Sequence, residues 1–143
     1  MKLLLASPCQ MVIADKESGY SLIAVFHHIK VRVPEAAEIP SNALLPKEWA
    51  IFSQWQLDSS EAERNVKQVA EAYWPNGDPL FKQELKALNI TENQAAFIIR
   101  NIGFPMGQNG IIKILLSMFV DDKPAFDPIE LNVKVEMIKD LHH

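Results

Sequence analysis

Ile129-Glu130-Leu131-Asn132-Val133-Lys134-Val135-Glu136-Met137-Ile138 decides the fold class. Ile129, Leu131, Val133, Val135 and Met137 alternate with polar residues, a period of two that places apolar side chains on one face of a strand and polar ones on the other. Trp49 to Asp58 repeats the pattern: Trp49, Ile51, Trp55 and Leu57 share a face that only Ser53 interrupts. Two tryptophans on one strand face anchor a core, since each buries about 150–250 Å².

Two further segments are apolar on both faces. Tyr20 to Val33 carries Leu22, Ala24 and Phe26 on one side and Ile23, Val25, Ile29 and Val31 on the other. Ile111 to Val120 places Ile112, Ile114, Leu116, Met118 and Val120 on one face and Ile111, Leu115 and Phe119 on the other. Strands of this kind lie centrally in a sheet and need a cover on their outer face. A loop of the same chain or a second copy of the protein would serve. Leu22, Phe26, Ile111, Leu115 and Phe119 are therefore the interface candidates, and the partner they suggest is another protein or the chain itself, as a homodimer.

Turn signals punctuate these strands at short, regular intervals. Residues 14–19 and 120–124 read as hairpin loops. Trp74-Pro75-Asn76-Gly77-Asp78-Pro79 is the strongest turn, with Asn-Gly available for positive φ. Pro34 to Lys47, with three prolines, reads as a crossover between sheets, and Gly103 to Gly110 as a loop. The spacing predicts a single domain over residues 1–143: an all-β, two-sheet antiparallel β-sandwich of about eight strands. Residues 59–72 also fit a short helix, because a Ser60-x-x-Glu63 capping box precedes Ala62, Val66, Val69 and Ala70 at helical spacing. The Asn-Gly turn that follows favours a strand there instead.

The 143 residues suffice for a sizeable core without a metal or disulfide. A formal charge of −4 and the lack of any Lys/Arg cluster beyond Lys30 and Arg32 argue against nucleic acid. Cys9 is the only cysteine, so no internal disulfide forms, which fits a cytoplasmic location. Met1 to Cys9 faintly resembles a lipoprotein signal, but its apolar run is too short and Pro8 stands where cleavage needs a small residue. No stretch approaches the ~20 apolar residues of a membrane span.

Candidate chemistry is sparse. Adjacent His27 and His28 point to opposite faces of a strand and cannot chelate one metal. His142 and His143 end the sequence. The Gly-x-Ser-x-Gly elbow, the phosphate loop and the dinucleotide fingerprint are all missing. Asp15 and Glu17 in one loop, with Asp121, Asp122 and Asp127 in another, offer the oxygens that a Ca²⁺ ion takes. Lys16 and Lys123 partly neutralise both loops. The expectation is thus a non-enzymatic interaction module without a cofactor. A ligand- or calcium-binding sandwich comes second, and a small enzyme using His27 or His28 with a carboxylate third.

The order of motifs resembles an uncharacterised family of small bacterial proteins with an immunoglobulin-like sandwich and no assigned activity. The pieces are Cys9-Gln10-x-Val12-Ile13-x-Asp15, Gly19, Ser21 to Phe26, the strand around Trp49 to Leu57, Phe97 to Ile99, Ile102 to Pro105, and Gly110 to Asp122. Gln10, where an acidic residue is more usual, and His27-His28 depart from the pattern. The resemblance implies strands throughout, including Arg64 to Trp74, and a Greek-key arrangement. It implies nothing about activity.

Overall fold

A computed structural model describes residues 1–15, 19–87 and 90–140. The chain is all-β, with two sheets packed face to face. One has four strands in the order β2-β1-β4-β7 and is built from β1 (Lys2–Asp15), β2 (Gly19–Val25), β4 (Leu44–Gln56) and β7 (Gln94–Pro105). The other runs β3-β10-β8-β5-β6 and is curled; its strands are β3 (His28–Pro34), β5 (Val66–Tyr73), β6 (Pro79–Lys86), β8 (Gly110–Val120) and β10 (Ile129–Asp140). A two-residue strand, β9 (Lys123–Pro124), pairs with β8. The ten strands among the described residues exceed the eight expected.

The core lies between the sheets, where the period-two stripes place it. β8 sits centrally and buries Ile112, Ile114, Leu116, Met118 and Val120, while β10 buries Val133 and Val135. From the other sheet, β4 contributes Trp49, Ile51 and Trp55, and Leu57 follows directly after it. Removing each tryptophan from water stabilises the fold by about 4–6 kcal/mol before entropy is counted. Trp49 donates its indole N–H to the carbonyl of Gly103 at 3.0 Å. Ser53, the polar break in the stripe, is only 1% exposed. Its hydroxyl oxygen accepts the indole N–H of Trp55 at 3.1 Å and the amide of buried Gln68, on β5, at 2.6 Å. One small hydroxyl thus satisfies polar groups from both sheets.

Several expectations need correction. Tyr20–Val33 is not one central strand. It breaks at Phe26-His27 and passes from the four-stranded to the six-stranded sheet, so that β2 and β3 are both edge strands. The sheets are not wholly antiparallel, because β3 pairs parallel with β10, with His28 beside Lys134. The crossover ends at Leu44 rather than Lys47, and β7 runs on to Pro105.

The helix-or-strand question over residues 59–72 resolves into both. α1 (Ser59–Ala62) is a single turn, and β5 follows it. The capping pair is Asp58 with Glu61 rather than Ser60 with Glu63: the Asp58 carboxylate accepts the Glu61 N–H at 2.8 Å, and Glu61 accepts the Asp58 N–H at 3.0 Å. Past Ala62, pairing with β6 and β8 outweighs helical spacing. The Asn76-Gly77 turn forms as expected, with Gly77 at φ +94° and its N–H on the carbonyl of Trp74.

Ser53→Ala leaves the buried Trp55 indole N–H without an acceptor and the Gln68 amide with only the Met118 sulfur, at about 1–3 kcal/mol each. Urea unfolding is expected to show a loss of about 2–4 kcal/mol. The double variant Ser53→Ala/Gln68→Leu is expected to recover part of it.

Candidate interaction surface

The decisive local feature is a corner in β1. Lys2 to Cys9 pair with β4, and Cys9 to Asp15 pair with β2, so Cys9 alone belongs to both ladders, facing Ala50 on one side and Val25 on the other. Beyond it the β1–β2 hairpin folds back over the outer face of the four-stranded sheet. Ring contact between Tyr20 and Phe52, at 5.1 Å, requires this fold. Tyr20 pairs with Ala14 and Phe52 with Ser7. Seven residues of straight strand would hold those positions roughly 23 Å apart.

The hairpin's inward side chains, Val12 and Leu22, close over Ala50, Phe52, Ala96 and Ile98. Cys9, 0% exposed, sits at the pivot, where burial pushes its thiol pKa up. A hairpin that covers a core on one face meets water on the other and normally alternates apolar with polar. Here the outward positions are Met11, Ile13, Ile23 and Val25, all 42–50% exposed. Seven of the ten large apolar side chains left exposed among the described residues belong to β1 and β2. Neither Leu3–Ala14 nor Gly19–Phe26 contains a charged residue.

At the hairpin's base a cleft of about 260 Å³ opens between residues 10–12, 48–50 and 100–102. Met11 and Ile102, the latter 85% exposed, extend the apolar surface along it. Asn101 lines the same cleft, and its side-chain nitrogen is the one buried side-chain N or O atom without a hydrogen-bond partner among the described residues.

The structure distributes the expected site residues differently. Leu22 is half-buried under the hairpin. Phe26 is half-buried in the main core, 5.8 Å from the ring of Phe104 and 6.5 Å from that of Trp49. On the outer face of β8, Ile111 is exposed while Leu115 and Phe119 are half-buried. The cover there is charged stems: Lys67 lies over the Phe119 ring at 5.6 Å, and Leu115 is flanked by Glu71 and Glu130. The outward hairpin residues Met11, Ile13 and Val25 fell outside the candidates, although the two charge-free runs mark them.

Two of the loop carboxylates, Asp121 and Asp122, are held by cations. Asp121 accepts from the Arg64 guanidinium at 2.6 Å and from the Asn65 N–H at 3.0 Å, while Lys67 bridges Asp122 and Glu84. Asp121 and Asp122 form a two-residue hairpin turn, both at positive φ. Asp127 is exposed between β9 and β10, and Asp15 ends β1 in the other sheet. Glu17, His142 and His143 lie outside the described residues. Among the described residues no group of three or more His, Cys, Asp or Glu is placed to hold a metal. His28 pairs with Glu136 at 3.2 Å on the exposed edge of the six-stranded sheet, away from the cleft.

Two measurements follow from this geometry. Arg64 and the Asn65 N–H hold the Asp121 carboxyl below its ordinary value of 3.8. Its contribution is present above that pH and is lost as the pH falls through the lowered value. Arg64→Met is therefore expected to lower stability slightly at neutral pH, with a difference that shrinks in urea titrations below about pH 4. Ala24 sits at φ +55° within β2. That conformation costs an L-residue about 1–2 kcal/mol. Ala24→Gly is expected to raise stability by about 0.5–1 kcal/mol once glycine's greater chain entropy is counted.

No protein-family model matches this chain, and a search of curated proteins finds no match to it. Among the described residues no helix is long and apolar enough to cross a membrane.

Proposed function

We propose that the protein is a non-enzymatic interaction module that self-associates through its β1–β2 hairpin. The observation that carries this reading is the hairpin's outward face, apolar and charge-free where a face in water would be polar. A second copy suits this surface. Each chain carries a formal charge of −4, and two copies meet with least repulsion where neither presents a charge. An isologous contact also brings each charge-free hairpin against an identical one. A cytoplasmic setting belongs to the same proposal, supported by the lone reduced Cys9. So does the immunoglobulin-like, Greek-key assignment, supported by the repeated changes of sheet along the chain.

Light scattering across a dilution series from about 1 mM is expected to show a dimer that dissociates on dilution. Ile23→Lys and Val25→Asp each place a charge on an exposed position. They are expected to weaken dimerisation by about 100-fold or more while leaving the thermal melt of the monomer unchanged. A wild-type chain that stays strictly monomeric at about 1 mM overturns the reading. A monomer that co-sediments with phosphatidylcholine vesicles overturns it in favour of a lipid surface.

A further inference from the structure

Among the described residues four strands form the open edges of the two sheets, and they differ in one respect. β3 carries Lys30, Arg32 and Pro34; β6 carries Pro79, Lys82, Glu84 and Lys86; β7 carries Arg100 and Pro105. Charges and prolines on an edge oppose pairing with another strand, because a new neighbour would desolvate the charge or lack a ladder donor. β2, Gly19-Tyr20-Ser21-Leu22-Ile23-Ala24-Val25, has neither, and all its residues but Leu22 are exposed. Its second row of backbone N–H and C=O groups faces away from β1, and only Ala24, at positive φ near the strand's end, breaks the regularity of that row.

We infer that β2 pairs edge to edge with β2 of a second copy, antiparallel across a two-fold axis, joining two four-stranded sheets into one of eight strands. This inference rests on the self-association proposed above and specifies its geometry. Identical strands related by a two-fold axis normal to the sheet pair antiparallel, and the operation keeps each face on its own side. The pairing therefore centres on a single residue, since opposed residues must share a face. It aligns the outward side chains of both hairpins in one strip. Cross-strand neighbours stand about 4.5–5.5 Å apart between Cβ atoms, so Ile23 and Val25 shield the flanks of their counterparts. A strand of foreign sequence finds no charge on β2 to recognise; a second β2 needs none.

A single-cysteine scan over residues 20–24 of the full chain, combined with amide hydrogen exchange, tests the geometry. Cys9, buried at the corner with its thiol pKa raised, does not compete. Under mild oxidation one position of the scan is expected to give a disulfide-linked dimer. Ile102→Cys, far more exposed but on β7, is expected to stay monomeric under the same conditions. Amides of β2 are expected to exchange at least about tenfold more slowly at dimer-forming concentration than on dilution. Cross-linking through Met11→Cys or Ile13→Cys, with β2 amides exchanging as in the monomer, overturns edge pairing in favour of face-to-face stacking and leaves the self-association reading standing. A dimer that cross-links as readily through Ile102→Cys overturns edge pairing as well. Failure of the self-association reading itself is seen separately, as a strict monomer by light scattering.

Discussion

The arrangement of the N-terminal half depends on Cys9 being paired on both sides. One residue shared by two ladders obliges β1 to leave one sheet direction and enter another, and everything downstream to Val25 follows that turn. Were β1 straight, Phe52 and Ile98 would be bare on the outer face of the four-stranded sheet, and the hairpin would project into solvent with two apolar faces. The corner removes one of these two faces from water. A single strand has no third face, so the outward row stays as the residue of that solution. Packing of the core and exposure of the patch are thus two results of one bend.

Polar atoms inside the sandwich follow the same economy. Between the sheets, the Ser53 hydroxyl serves Trp55 and Gln68 together, tying β4 to β5 by hydrogen bonding where the remaining contacts are dispersion and apolar burial. Trp49 finds its acceptor in the backbone of β7. The Ser53–Gln68 bond has direction, which apolar packing lacks, and it fixes how far one sheet slides over the other.

Much of the fold was legible because period two is a local signal. The stripes of β4, β8 and β10 need only neighbouring residues to be read, and their inward sets match the buried ones. Ser53, an interruption in a stripe, is explained only once Gln68 is brought beside it from fifteen residues away. Residues 20–33 read as one strand in the sequence because alternation carries no information about which sheet a residue joins. With the break at Phe26-His27, Ile23 and Val25 belong to one layer and Val31 and Val33 to the other. The interface candidates Leu22 and Phe26 were therefore the inward members of their segment, while Ile23 and Val25 face water. Parity placed them on opposite faces correctly; which face meets solvent was fixed by the corner, sixteen residues earlier in the pairing of Cys9 with Val25. The parallel pairing of β3 with β10 left no trace in the sequence, since parallel and antiparallel neighbours select the same side-chain types at an edge.

That parallel pair has a kinetic consequence. His28 and Lys134 lie more than a hundred residues apart in the chain, and no hairpin can bring them together. β10 can dock on β8 through local contacts, but its other edge waits for a strand from the opposite end of the sequence. Closing so large a loop is entropically slow, and contacts of this separation place a protein among the slow folders. Until β3 arrives, the open side of β10 and the uncharged hairpin are available together, so crowded refolding favours aggregation over closure. Completion of the six-stranded sheet withdraws one of these two open surfaces.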